Sequence, residues 1–82
     1  MATIDESIQA LDAATQRTIL SAAESWAMER YGTEPDQVRL LNNDTAAPQG
    51  SVYEIEVSAG GALDQLHLYV QPDGQVEVRM VA

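Results

Sequence analysis

The chain has 82 residues, 45% of them hydrophobic, with thirteen Asp and Glu against four Arg, no Lys, no Cys and a formal charge of −9. That length fits one domain, and without cysteine there is no disulfide, thiolate metal site, redox pair or thiol nucleophile. The excess of acid disfavours binding to nucleic-acid phosphates, which takes clustered Lys and Arg, and it disfavours anionic membrane surfaces.

No basic n-region and no unbroken apolar h-region open the chain, and no apolar run approaches the ~18 residues of a membrane span. The expectation is a soluble, cytoplasmic protein. Its acidity is even: residues 1–36 hold seven acids and two Arg, and residues 37–82 hold six acids and two Arg. The plain reading of this pattern is a solvated, self-repelling surface.

Residues 4–31 predict a helix. Ile4, Ile8, Leu11, Thr15, Ile19, Ala22 and Trp26 recur every three or four positions and share one face. Asp5, Glu6, Arg17, Glu24 and Met28 fall mostly on the other side. Thr3 and Glu6 have the spacing of a capping box. Gly32 offers a left-handed residue after the last turn, and Pro35 prevents continuation. Small and poor helix-forming residues cluster at Asp12–Thr15, where a kink or break is expected.

From residue 37 the period changes to two, predicting strands at about 37–42, 51–59, 64–71 and 75–81. Asn42–Gly50 reads as a loop from its turn residues. Gly60-Gly61 and Pro72-Asp73-Gly74 read as hairpin turns. The second hairpin pairs Val70 with Val76, Leu68 with Val78 and Leu66 with Met80. In the first, pairing Ile55 with Leu68 aligns Tyr53 with Val70 and Val57 with Leu66. Both hairpins then present one apolar face. The predicted class is α+β: one long N-terminal helix, kinked or straight, on a four-stranded antiparallel meander, since a single stripe and a single apolar face must pack together.

On the opposite sheet face the same pairing lines up Glu56 with His67 and Arg79, and Glu54 with Tyr69 and Glu77. His67 is the sole histidine, and with no second His or Cys it reads as a surface residue rather than a base or metal ligand. Glu54 and Glu56 lack the cleft that tunes a catalytic carboxylate pair. Gly60-Gly61 precedes no phosphate-loop lysine and is a turn. Trp26 belongs to the helix's apolar stripe. No catalytic, metal or cofactor residue is proposed from the sequence. Val52, Tyr69 and Val81 stand out as apolar or aromatic positions on a charged face, where clustering would make a docking patch. The last strand is a candidate edge that Glu77 and Arg79 would blunt, or that would take a partner strand.

The segments Tyr53-Glu-Ile-Glu-Val57, Leu66-His-Leu-Tyr-Val70 and Pro72-Asp-Gly-Gln-Val76, behind one helix, resemble a PepSY-type domain. More broadly the pattern is similar to cystatin-like helix-on-sheet folds. The likeness covers about residues 19–78. It implies a peptidase-inhibiting or protein-binding role, usually outside the cytoplasm, and brings no catalytic residues.

The expected function is a small non-enzymatic protein-binding or regulatory module of inhibitor-like character. Its candidate surface is Val52, Glu54 and Glu56 on the second strand, His67 and Tyr69 on the third, and Glu77, Arg79 and Val81 on the last. The partner would be another protein, or a second copy joined through the C-terminal edge strand. The alternative is an acidic inhibitor mimicking nucleic acid, as a phage anti-defence protein does; acids on both helix and sheet weigh against it.

Overall fold

The computed structural model describes residues 3–44 and 50–81. Among these, the elements in chain order are β1 (Thr3–Ile4), α1 (Glu6–Gln9), α2 (Ala13–Tyr31), β2 (Gln37–Asp44), β3 (Ser51–Ala59), β4 (Ala62–Val70) and β5 (Val76–Met80). The strands form one sheet in the order β1-β2-β3-β4-β5. The expected α+β class holds: a long helix lies against a four-stranded antiparallel meander, β2 to β5. A two-residue strand is added at one edge, with Thr3 and Ile4 parallel to Gln37 and Val38. Parallel neighbours need a crossover, and α1 with α2 supplies it.

The predicted helix over 4–31 is divided. Ile4 is extended in β1, and Asp5 rather than Thr3 caps α1, accepting hydrogen bonds from the Ser7 amide and hydroxyl. Ser7 Oγ in turn accepts from the Leu40 amide, tying this first turn to β2. After Ala10 the chain restarts: Asp12 caps α2 through the Thr15 amide and hydroxyl. The break spans residues 10–12 and meets the expected Asp12–Thr15 only at Asp12, since residues 13–15 form the first turn of α2. Ile4 pairs with the sheet and Ile8 is buried in the core. Gly32 ends α2 in the left-handed region, as expected, its amide donating to the Met28 carbonyl.

Ile8, Ile19, Ala23 and Ala27 of the helical layer meet Val38, Tyr53, Ile55, Val57, Leu66 and Leu68 of the sheet. Each fully buried Val, Leu or Ile contributes about 1.5–3 kcal/mol relative to exposure. Trp26 is half-buried beside this core and meets Tyr31 edge to face at 5.5 Å.

The β4–β5 register is the expected one, with Leu66, Leu68 and Val70 opposite Met80, Val78 and Val76. The β3–β4 register differs from the expectation by two residues: Ile55 faces Leu66, Tyr53 faces Leu68 and Ala59 faces Ala62. The reason is the turn. Gly60 and Gly61 both have positive φ, 57° and 86°, so they close a two-residue loop, whereas strand ends at 59 and 64 presuppose a wider one. A shift of two preserves which side chains face the core, so the apolar face is unaffected. Asn42–Asp44, expected in a loop, continue β2 after a bulge at Leu41; residues 45–49 of that expected loop lie outside the described residues.

Gly50 has a φ of 124°, and a Cβ built there would clash with the Val70 carbonyl oxygen and press on Gln71 Cα at 3.2 Å. Gly50→Ala is therefore expected to destabilise the protein by more than about 1 kcal/mol, read by urea unfolding. Gly74→Ala is the comparison, since that site has a left-handed φ but open space around it. Equal losses at the two sites would show that backbone conformation, not crowding, sets the cost.

The hydroxyl of Thr15, with its amide, holds the Asp12 carboxyl below its ordinary value, and Ser7 does the same for Asp5. A carboxylate whose folded pKa is depressed contributes stability above its unfolded pKa and loses it as pH falls through the folded value. Circular dichroism at falling pH should therefore show loss of stability below the ordinary carboxylate range. Asp12→Ala should lower the melting temperature at neutral pH and flatten that acid limb.

Candidate functional site

Alternation along the strands leaves one sheet face to solvent. Both helices send their buried residues to the other face, so among the described residues no helix covers the outer one. The two-residue β3–β4 turn sets which outward side chains meet. Glu54 lies opposite His67, and His67 opposite Arg79. Val52 lies opposite Tyr69, and Tyr69 opposite Glu77. Glu56 faces Gln65 on one side and Arg39 on the other. The expected rows, Glu56 with His67 and Arg79 and Glu54 with Tyr69 and Glu77, are thus corrected on β3 by two residues, while the β4–β5 half of each row stands.

This register joins the groups into one polar cluster. Glu54 Oε1 is 3.5 Å from His67 Nε2, and the Tyr69 hydroxyl is 3.5 Å from His67 Nδ1. The His67 and Tyr69 rings meet edge to face at 6.2 Å. The Arg79 guanidinium sits 5.0 Å from the Tyr69 ring centroid, a cation–π contact. Arg79 also donates through Nε and Nη2 to Glu77 Oε1, at 3.1 and 3.0 Å. Glu56 is paired with Arg39 at 2.9 Å, its side chain only 18% exposed.

Contacts thus link five of the eight expected positions, Glu54, His67, Tyr69, Glu77 and Arg79; Val52 lies opposite Tyr69 and Glu56 pairs separately with Arg39. Val81 stands apart beyond the end of β5, exposed, its amide donating to the Gln65 carbonyl. Arg39 was missed, although the alternation of Val38 and Leu40 around it already places it outward.

A second feature lies on the helix side. A groove of about 630 Å³ runs between α2 and β5, walled by Arg17, Ser21, Trp26 and Glu29 and by Val76 and Val78. Trp26, expected in the core, stands at its rim. Periodicity could not locate this groove, because it depends on how the helix lies across the strands.

Chemically, the outer cluster offers an aromatic ring stiffened by two neighbours, two carboxylates held by Arg39 and Arg79, and a third, Glu54, beside the His67 imidazole. Among the described residues no group of three or more His, Asp or Glu side chains is placed to hold a metal ion. No helix among them is long and apolar enough to cross a membrane. Compared with protein-family models, curated proteins and solved structures, the chain has no match.

Exposed ion pairs couple weakly, and Arg39–Glu56 joins one exposed and one largely buried partner. A double-mutant cycle with Arg39→Ala and Glu56→Ala should give a coupling of about 0.5–1 kcal/mol that falls on raising salt. A coupling indifferent to salt would mean that packing of the two side chains dominates.

Proposed function

We propose that this protein is a small non-enzymatic module that docks another protein on its uncovered sheet face, with Tyr69 at the centre of the contact. The observation that carries this reading is the state of the carboxylates. Glu54, Glu56 and Glu77 are each set against His67, Arg39 or Arg79, and Tyr69 lies among them, half-buried and fixed between His67 and Arg79. Tyrosine and arginine held in place lose little entropy on contact and recur as interface anchors. A nucleic-acid mimic needs rows of uncompensated carboxylates, and Arg39 and Arg79 compensate Glu56 and Glu77, so the pairing favours docking. The inhibitor-like character rests on the PepSY-type and cystatin-like resemblance alone.

The test is capture by immobilised protein in a lysate of the native host. Tyr69→Ala and Val52→Asp should each abolish the same captured band while the melting temperature moves little. Capture that survives both changes removes the proposal. If the captured proteins are basic nucleic-acid binders, lost on raising salt but kept in Tyr69→Ala, the mimic is the correct reading.

A further inference from the structure

Strand β5 forms a free edge of the sheet. Hydrogen bonds from the Gln71 amide to the Gln75 carbonyl and from the Val81 amide to the Gln65 carbonyl mark the bonded pairs at either end of the β4–β5 ladder. Bonded pairs alternate in an antiparallel ladder, so Glu77 and Arg79 turn their main-chain groups towards β4. Those of Val76, Val78 and Met80 point outward, with no strand beside them among the described residues.

We propose that this edge receives the β5 of a second copy, antiparallel and centred on Val78. A two-fold axis there places Val78 against Val78 of the other copy and Val76 against Met80. All the outward main-chain groups are matched, for about six hydrogen bonds. On the outer face Glu77 of each copy falls opposite Arg79 of the other.

The sequence selects this register over its neighbours. Centring the pair one residue earlier opposes Glu77 to Glu77, and one residue later opposes Arg79 to Arg79. Like charges directly opposite are destabilising, and unlike charges favourable. Only the Val78 register makes the strand complementary to itself. Arg79 is already steadied by its contact with Tyr69, so the incoming Glu77 meets a fixed guanidinium.

Three further observations favour a second copy as the occupant. Met80 is 45% exposed and would be covered by Val76 across the axis. Two of the chain's four Arg, Arg17 and Arg79, border this edge beside Glu29, Glu77 and Asp73, so it carries little of the protein's charge of −9. The remaining acid excess lies elsewhere, and its repulsion is screened beyond about 8 Å at physiological salt. Finally, the opposite edge is interrupted: β1 covers Gln37 and Val38 of β2, Ser7 Oγ takes the outward Leu40 amide, and a bulge follows at Leu41, so it offers no comparable unbroken strand. The assembly therefore closes as a dimer with two-fold symmetry, one continuous sheet with both docking faces on the same side.

Sedimentation equilibrium from about 1 μM to about 1 mM at physiological salt tests this, and it is separate from the lysate capture, which reads the outer face. The wild-type protein should approach twice its chain mass. Glu77→Arg and Arg79→Glu should each weaken association at least about tenfold, since each opposes like charges. Mixing the two variants should restore a heterodimer, because each supplies what the other lacks. Val78→Pro, which removes an amide pointing away from β4, should also leave a folded monomer. A wild-type protein that stays monomeric overturns the proposal. So does a dimer that survives both charge reversals, or a mixture of variants that fails to associate.

Discussion

The Gly60–Gly61 turn is the constraint on which the rest of the sheet depends. Two consecutive residues of positive φ close β3 onto β4 with Ala59 opposite Ala62, and every later pairing on those strands follows from that contact. On one side it stacks Ile55 against Leu66 and Tyr53 against Leu68 beneath α2. On the other it brings Glu54 to His67 and Val52 to Tyr69. The turn is itself anchored from outside the hairpin. The Asp36 carboxylate accepts from the Gly60 amide, and the Asp36 amide donates to the Ser58 carbonyl. The end of the helical layer is thereby tied to the hairpin that it covers.

Much of this was legible because alternation reports faces directly. Ile55, Leu66 and Leu68 were expected inward and Glu54, His67 and Tyr69 outward, and they are. Alternation does not report register to better than two residues, since a shift of two leaves every side chain on its own face. That is why the inward-facing residues of β3 to β5 were read correctly while their β3–β4 partners were not; on α2 Ala23 and Ala27 are buried rather than the expected Ala22 and Trp26. The helix break has a similar origin. Ile4, Ile8 and Leu11 keep the helical spacing across it, although Ile4 is extended beside Val38 and Asp12 starts a second helix. Asp5 and Asp12, two capping residues seven positions apart, were the available signal.

The groove beside β5 was beyond reach for another reason. It is a property of the angle and offset at which α2 crosses the sheet, which no local pattern encodes. Charge patterning was informative only in part. An excess of acid spread over both halves of the chain was evident from counting. Its partial cancellation at Arg39 and Arg79 needed the strands to be laid side by side. A protein of strongly negative charge thus keeps its cations where carboxylates would otherwise crowd one another, and leaves the excess to its remaining surface.

The order of strands along the sheet follows their order in the chain. Each pairing from β2 to β5 joins neighbours in sequence, and two of the connections are tight turns. Contacts of this kind are cheap in loop-closure entropy, and folds rich in them form quickly. The exception is β1, which must wait for β2, more than thirty residues later. During synthesis the helical layer therefore emerges before the strands β2 to β5 that cover its apolar stripe. The meander can then zip up hairpin by hairpin beneath it, and β5, joined within the chain to β4 alone, is the last of its strands to gain a partner.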